Sequence, residues 1–341
     1  MTTIGAFTSL PAARKKSSRP SRKPALLVSV VVPAYNEEPN LRFLYEHLDA
    51  VFATLDESLE LIIVDDGSTD KTRALLERLH AEDSRVKGIF LSRNFGQAPA
   101  LSAGIQAASG DAVVVMDADG QDPPEIIPAL IAKWKEGYEV IGGRRSNREA
   151  DPWSKRMSAY IWYRVMRLLV GWEMPMDTGE FRLIDRKVAD VFCACPQLHR
   201  LVRTLTSWPG FRQTTVDYVH AKRHAGVTKY TFRASLRLAI MSITGFSLVP
   251  LRVAFGLGAL AMLFALIACA AIIAPIFAGK PVNLLALAVA GLWLFGGAQC
   301  ILLGIVGEYV GRTYIEAQQR PLYVIRDRIG FEDDRYGVRE R

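Results

Sequence analysis

Two aspartates one residue apart, Asp117 and Asp119, follow the apolar run Ala112–Met116 and give the strongest chemical signal in the chain. Carboxylates on a turn that leaves a buried strand can hold a divalent cation against a diphosphate. Gln121 and Asp122 follow directly and add oxygen donors. Hard oxygen donors suit Mg²⁺ or Mn²⁺, which keep coordination positions open for substrate phosphates. An acidic turn can also be a solvated cap, so the predicted metal site depends on the neighbouring motifs.

Two earlier apolar runs also end in polar motifs. The first ends in Pro33-Ala34-Tyr35-Asn36-Glu37 and the second in Asp65-Asp66-Gly67-Ser68-Thr69. Acidic side chains there can accept hydrogen bonds from a base or ribose, and helix N-termini just beyond can offer N–H groups to phosphates. Either motif alone could equally be a helix cap. In this order, and followed by Leu91–Gln97 and Asp117–Gln121, they predict a nucleotide site.

The elements that must position these motifs alternate along residues 25–145. Short apolar runs predict strands at 27–32, 60–64, 86–91, 112–116 and 139–142, and amphipathic patterns predict helices at 39–54, 69–80, 98–108 and 124–136. Strands alternating with helices predict an α/β fold, a mostly parallel sheet with helices on both faces. Ligands of such sheets bind beyond the carboxyl ends of the strands, where every candidate motif lies.

The C-terminal part of the chain is apolar. No charged residue stands between Arg252 and Lys280, or from Pro281 to Gly307. At about 1.5 Å per residue, each run can cross a hydrocarbon core roughly 30 Å thick. We therefore predict transmembrane helices at 254–277 and 284–307. Residues 235–253 begin with an amphipathic pattern and predict an interfacial helix, the alternative being an extension of the membrane helix.

The chain has a formal net charge of +7. Residues 1–24 contain six basic and no acidic residues, and we expect a disordered tail that either lies on an anionic membrane surface or simply solubilises the chain. This tail has no apolar core segment of a signal peptide. Basic residues also follow the second predicted membrane helix, in the tail 308–341. Both termini are thus predicted to be cytoplasmic in a multi-pass protein of the inner (plasma) membrane, with no nucleic-acid partner.

Further motifs complete the succession: Asp177–Leu183, Gly226–Tyr230, Pro250-Leu251-Arg252, Leu303–Arg312 and Arg320–Tyr323. This succession of motifs resembles the family 2 glycosyltransferases. Within them, it resembles the polyprenyl-phosphate glycosyltransferases that include dolichyl-phosphate mannose synthase. It is most similar to the bacterial subgroup with two C-terminal membrane helices that glycosylates undecaprenyl phosphate. The similarity extends from about residue 28 to residue 325. It implies a GT-A nucleotide-sugar-binding domain over residues 25–234.

The resemblance also implies roles for single residues. Those at the nucleotide base and ribose are Pro33, Tyr35, Glu37 and Asp66. Those flanking the sugar nucleotide are Asn94 and Gln97, with Asp117 beside them. The implied ligands of Mg²⁺ or Mn²⁺ are Asp117, Asp119 and Gln121. Arg144 and Arg156 would lie near the acceptor phosphate or the donor diphosphate, and further cations on the acceptor side would be Arg182, Arg203 and Lys229. Asp177 would orient the nucleophile or act as its base, so the catalytic set comprises Asp119, Asp177, Arg144 and Arg156.

A lipid phosphate is already anionic near neutral pH, so it needs cationic positioning more than a base. Arginine provides this by bidentate hydrogen bonding, and a basic stretch contains Arg144, Arg145, Arg148, Arg156, Arg164 and Arg167. The prediction is metal-dependent, inverting transfer of one hexose, with UDP-glucose expected as donor, to undecaprenyl phosphate at the bilayer. GDP-mannose or a UDP-aminoarabinose-type donor, or a non-catalytic nucleotide-sugar-binding membrane scaffold, are the alternatives, and a homo-oligomer is compatible with the pattern.

Overall fold

The computed structural model describes residues 26–146, 178–195, 202–219 and 284–331, together with single helical positions between 251 and 267. Its centre is one eight-stranded sheet in the order β7-β5-β6-β4-β1-β2-β3-β8. The strands are β1 (Leu27–Ala34), β2 (Ser58–Asp65), β3 (Val86–Leu91), β4 (Ala112–Val115), β5 (Val140–Arg145), β6 (Thr178–Asp185), β7 (Gln213–Tyr218) and β8 (Ile325–Ile329). The helices are α1 (Glu38–Phe52), α2 (Thr72–Glu82), α3 (Gln97–Ala107), α4 (Ile127–Lys135), α5 (Arg186–Ala194), α6 (Val202–Ser207) and α7 (Leu284–Ala317).

Apolar side chains cover both faces of the central strands, which explains their nearly continuous Val and Ile runs. On one face, Val30 packs in a core with Leu41 and Leu44 of α1. On the other, Val31 packs in a second core with Leu101 of α3. Helix α3 lies very close to the sheet, since a Cβ on Gly104 would stand 2.3 Å from Val31 Cγ1. The predicted α/β fold with helices on both faces is confirmed.

The sheet is mostly parallel, as predicted. Strand β1 pairs in parallel with both β2 and β4, β2 with β3, and β5 with β7, whereas β6 and β8 run antiparallel to their neighbours. The chain passes from β1 outward through β2 to β3, then returns to the other side of β1 to form β4. The carboxyl ends of β1 and β4 therefore border a topological switch point, which is the usual ligand crevice of such sheets.

The second half of the chain differs in detail from the prediction. Beyond the alternating region 25–145, Thr178–Asp185 and Gln213–Tyr218 add strands β6 and β7 to the sheet. The tail 308–341 was assigned no element, yet Ile325–Ile329 forms strand β8 at the free edge of β3. Its Ile-Arg-Asp-Arg-Ile sequence has the alternation of a short edge strand.

Helix α7 is 34 residues long and carries exposed apolar side chains such as Leu285, Leu292 and Leu303. Within the part of the chain that the structure describes, no helix meets the length and apolarity needed to cross a membrane. The predicted tail 1–24, the interfacial segment 235–253 except for position 251, and most of the predicted helix 254–277 lie outside the described residues.

Candidate active site

Two loops at the switch point are joined by hydrogen bonds. Asn36, after β1, has the positive φ of 54° that asparagine tolerates better than most residues. Its backbone N–H donates to Ser68 Oγ (2.8 Å), and its side-chain Oδ1 accepts from the backbone N–H of Thr69 (2.8 Å). The backbone N–H of Glu37 donates to Thr72 Oγ1 (3.1 Å). The motifs after β1 and β2, more than 30 residues apart in the sequence, are therefore adjacent in the fold.

Asp66 shapes a third loop, residues 92–96 between β3 and α3, which we term the β3–α3 loop. The Asp66 side chain is 3% exposed, and its two oxygens accept from the backbone N–H groups of Phe95 (2.7 Å) and Gly96 (2.8 Å). Burial raises the pKa of Asp66, and the two amide hydrogen bonds offset this only in part. A contact of Asp66 with a nucleotide stays a prediction, but the side chain already organises the loop that carries Asn94.

Gly67 brings the same two loops into direct backbone contact. It has φ +71°, and a Cβ built on it would lie 2.5 Å from the carbonyl carbon of Arg93 and 2.8 Å from Asn94 N. No side chain fits between these backbones. The β3–α3 loop is therefore packed against the end of β2 as well as hydrogen-bonded to it.

Asp117 lies at the centre of a group of carboxylates beyond β4. Gln97 Nε2, at the start of α3, donates to Asp117 Oδ1 (2.7 Å). Burial, followed by repulsion from Asp122, Asp119 and Glu180, raises the pKa of Asp117 to about 7. In the turn that follows, the backbone N–H of Gln121 donates to Asp119 Oδ1 (3.1 Å). Negative charge is thus crowded at the predicted metal position.

Among the described residues, the cation that faces this group is Arg145, the neighbour of the predicted Arg144. Burial lowers the pKa of Arg145, but a hydrogen bond with Tyr218 and the charges of Asp122 and Asp117 raise it above the ordinary value. Tyr218 OH donates to Asp122 Oδ1 (2.6 Å) and accepts from Arg145 Nε (3.4 Å). Burial and the charge of Asp122 raise the pKa of Tyr218, so this hydroxyl remains protonated.

Arg144 points away from these carboxylates and forms a two-point ion pair with Asp217, its neighbour across β5 and β7, with Nη2 2.8 Å from Oδ2. Side chains alternate between the two faces of a strand, so Arg144 and Arg145 point in opposite directions. The role predicted for Arg144 in the catalytic set stays a prediction, and Arg145 is the described arginine whose charge acts on Asp117.

Arg182 was predicted to bind the acceptor phosphate, and its geometry argues against that role. It is 2% exposed. Nη2 donates to Gly179 O (2.7 Å), and Nη1 donates to Thr206 Oγ1 (2.9 Å). The first bond lies within β6, and the second joins β6 to α6. Arg203, on the same helix, is partly buried and its acceptor role stays a prediction.

Three predicted residues, Arg156, Asp177 and Lys229, lie outside the described residues. Pro33 and Tyr35 lie partly buried at the end of β1, and Asn94 is exposed in the β3–α3 loop. Glu37 Oε2 accepts from Asn40 Nδ2 (2.6 Å), which fixes its carboxylate at the start of α1. The nucleotide-contacting roles of these residues stay predictions.

Glu180 was not singled out by the sequence analysis. It lies on β6 near Asp117, whose pKa it helps to raise. Among the described residues, its Oε2 is buried and has no hydrogen-bond donor. Its position inside the Asp177–Leu183 motif is the signal that could have identified it.

The donor set fits a divalent cation. The repulsion that raises the Asp117 pKa is what a bound cation would relieve, and carboxylates are hard ligands. The described residues contain no group of three His, Cys, Asp or Glu side chains arranged to hold a metal ion. Mg²⁺ commonly takes only one or two carboxylates from a protein, and substrate phosphates and water complete its shell. Asp117 and Asp119 can supply those two.

Comparisons with known proteins identify the family of this chain. The family model for glycosyl transferase family 2 matches residues 29–192. The uncharacterized glycosyltransferase YkcC of Bacillus subtilis is 40% identical over 314 residues, which are 90% of this chain and 95% of that protein. A bactoprenol glucosyl transferase of Shigella phage SfV is 35% identical over 301 residues, 88% of this chain and 98% of that protein. The crystal structure of mannosyl-3-phosphoglycerate synthase from Rubrobacter xylanophilus is 16% identical, covers 64% of this chain and 72% of that chain, and gives a TM-score of 0.45.

The fold and the acidic switch point define a GT-A-like α/β domain that binds nucleotide sugars. The chain belongs to glycosyltransferase family 2, and it is a glycosyltransferase.

Proposed function

We propose that this glycosyltransferase moves a single hexose from a nucleotide sugar to undecaprenyl phosphate, with inversion at the anomeric carbon, and that UDP-glucose is its donor. The relatives named bactoprenol glucosyl transferase, 35% identical along nearly their whole length, support a polyprenyl-phosphate acceptor. One structural observation carries the proposal: Asp117 and Asp119 stand at the switch point with negative charge in excess of the facing arginine.

That excess of charge favours a bound divalent cation and, through it, a diphosphate. Asp117 and Asp119 would hold Mg²⁺ or Mn²⁺, with Gln121 as a further oxygen donor. A bound cation neutralises the charge that develops on a departing nucleoside diphosphate. Gln97 keeps Asp117 oriented, because their hydrogen bond fixes one carboxylate oxygen.

The displacement itself requires little proton transfer. An oxygen of the lipid phosphate forms the new bond to the anomeric carbon, and the bond from that carbon to the diphosphate oxygen breaks with its electron pair. Arg145 would stabilise the departing charge beside the carboxylates, and Tyr218 would hold the guanidinium in place. Glu180, whose Oε2 has no donor among the described residues, could take a proton from a monoprotonated acceptor. Arg156, Asp177, Arg203 and Lys229 remain candidates for the acceptor side.

For the donor, Pro33, Tyr35, Glu37 and Asp66 are proposed to line the base and ribose, and Asn94 to flank the sugar. All of them lie at the carboxyl edge of the sheet or in its loops, where nucleotides bind in this class of fold.

Attachment to the plasma membrane is part of the same proposal, because a polyprenyl tail keeps the acceptor in the bilayer. Uncharged runs in the sequence at 254–277 and 284–307 support membrane helices after an interfacial segment at 235–253. The catalytic domain and both termini would be cytoplasmic. Recovery of the protein in the aqueous fraction after alkaline carbonate extraction would contradict this part.

A transfer assay tests the reaction. Purified protein in detergent receives undecaprenyl phosphate, Mg²⁺ or Mn²⁺, and one labelled nucleotide sugar at a time: UDP-glucose, GDP-mannose or UDP-N-acetylglucosamine. We expect label in the organic phase with UDP-glucose, and loss of that label with EDTA. Metal-dependent binding of a nucleoside diphosphate with no organic-phase label from any donor would instead favour a non-catalytic scaffold.

A further inference from the structure

The C-terminal strand β8 borders the β3–α3 loop directly. It pairs with β3 from Gly88↔Ile329 to Leu91↔Ile325, and the contact continues past the end of both strands. The backbone N–H of Ser92 donates to Val324 O (2.9 Å), and Arg326 Nη2 donates to Ser92 O (3.2 Å). Both backbone polar groups of the first loop residue are thus bonded to the C-terminal segment.

On its opposite side, the same loop is held by the end of β2. Asp66 accepts from the amides of Phe95 and Gly96, and Gly67 packs against the backbone of Arg93. The loop is therefore fixed between an inner support that belongs to the nucleotide site and an outer support that comes from the far end of the chain.

The outer support is well anchored. Asp327 forms an ion pair with Arg73 of α2, whose guanidinium lies over the Phe90 ring at 4.4 Å. Ile329 fills the space above Gly88, where a Cβ would stand 2.8 Å from Ile329 Cγ1. Tyr323 OH donates to Gln106 at the far end of α3. Strand β8 and the residues just before it are therefore attached to α2, β3 and α3, and not only to the loop.

A short connection links this support to α7. The helix ends at Ala317, and residues 318–324 lead to β8. Seven residues span at most about 25 Å when fully extended. The position of α7 therefore limits where the segment beside Ser92 can lie.

We infer that residues 323–326, termed here the C-terminal strap, are a positioning element of the nucleotide-sugar site and hold the β3–α3 loop in its donor-binding shape. The strap acts through its hydrogen bonds to Ser92 and to Gln106 of α3. This inference rests on the proposed function only in identifying the ligand of the loop as a nucleotide sugar.

The test uses the full-length protein with two changes in the strap, Tyr323→Phe and Arg326→Gln. They remove the hydrogen bonds to Gln106 and Ser92 and leave the pairing of β8 with β3 in place. The matched control is Tyr314→Phe with Arg328→Gln. It carries the same chemical changes at an exposed α7 tyrosine and at a β8 arginine that none of the hydrogen bonds above joins to the loop.

Three quantities are measured: backbone hydrogen exchange in residues 92–97, the affinity for UDP and GDP in the presence of Mn²⁺, and the steady-state constants for transfer. For the strap variant we expect severalfold faster exchange in the loop. We also expect a nucleotide Kd and donor KM about three- to tenfold higher, as for the loss of one net hydrogen bond, because only the bond to Ser92 acts directly on the loop. The kcat and the acceptor KM should stay within twofold, and the control should match the wild type.

Unchanged loop exchange and unchanged nucleotide affinity in the strap variant would overturn the inference. Faster exchange throughout the domain, with kcat lowered together with affinity, would also overturn it, because the strap would then stabilise the whole fold. A wild-type protein that transfers no sugar would refute the proposed function, while exchange and nucleotide affinity would still decide the role of the strap.

Discussion

Gly67→Ala should distort the nucleotide site without touching a ligand. Gly67 has φ +71°, a conformation that costs a residue with a Cβ about 1–2 kcal/mol. The new Cβ would also stand 2.5 Å from the carbonyl carbon of Arg93, whereas ordinary contact begins at 3.4 Å. The β3–α3 loop must therefore move by about 0.9 Å, which is the difference between these two distances.

Such a movement acts on the bonds between Asp66 and the amides of Phe95 and Gly96, now 2.7 and 2.8 Å long. If the loop takes up the whole displacement, both bonds lengthen beyond a useful distance. Each hydrogen bond to a charged group contributes about 1.5–3 kcal/mol. Because part of the movement can be shared by β2, we expect the free energy of unfolding to fall by about 3–5 kcal/mol in total.

The matched control is Gly210→Ala. Gly210 has a similar φ of +79° but nothing within 4 Å of a built Cβ, so only the conformational cost of about 1–2 kcal/mol applies. Thermal unfolding in detergent should show an apparent Tm loss two to three times larger for Gly67→Ala than for the control. UDP affinity should fall at least tenfold in Gly67→Ala alone. Equal Tm losses, with unchanged UDP affinity, would refute the proposed contact between the two loops.

Three further predictions concern the carboxylates and the sheet. Asp119→Ala should abolish transfer in the organic-phase assay. Membrane association, measured by fractionation, and the apparent Tm should stay nearly unchanged. Full activity of this variant with the metal chelated would contradict the metal site. Arg145→Ala should lower kcat at least a hundredfold. Arg144→Ala loses an exposed ion pair with Asp217 and should change kcat less than threefold. A larger loss of kcat in Arg144→Ala than in Arg145→Ala would favour Arg144 as the catalytic arginine. Burial raises the pKa of Glu60, but hydrogen bonds from Lys87, Ser109 and Ser29 outweigh it and lower the pKa below the ordinary 4.5. The stabilisation by Glu60 is therefore complete above about pH 5 and lost as pH falls through the lowered pKa, so the Tm of Glu60→Gln should depend less on pH between 5 and 3 than that of the wild type.

The sequence by itself determined the class of fold and the place of the site. Apolar runs such as Leu27–Val32 and Ala112–Met116 predict buried strands because they are short and rich in β-branched residues. Polar motifs at the ends of those runs must meet at one edge of a parallel sheet. The approximate position of Asp66, Asn94, Gln97 and Asp117 follows from that alone, and the structure links Gln97 to Asp117 and Asp66 to the β3–α3 loop.

The orientation of individual side chains was decided only by tertiary structure. Arg144 and Arg145 are identical in local sequence character, and the pairing of β5 with β7 determines that Arg144 meets Asp217 while Arg145 meets Tyr218. From the sequence, Arg182 was predicted to bind a phosphate. In the structure it is buried against α6, and its guanidinium donates to Thr206 and Gly179. Strand β8 joins β3 across more than 200 residues of chain, a separation that no local pattern encodes. Local periodicity fixes elements, whereas the partners of a side chain depend on which distant strand becomes its neighbour.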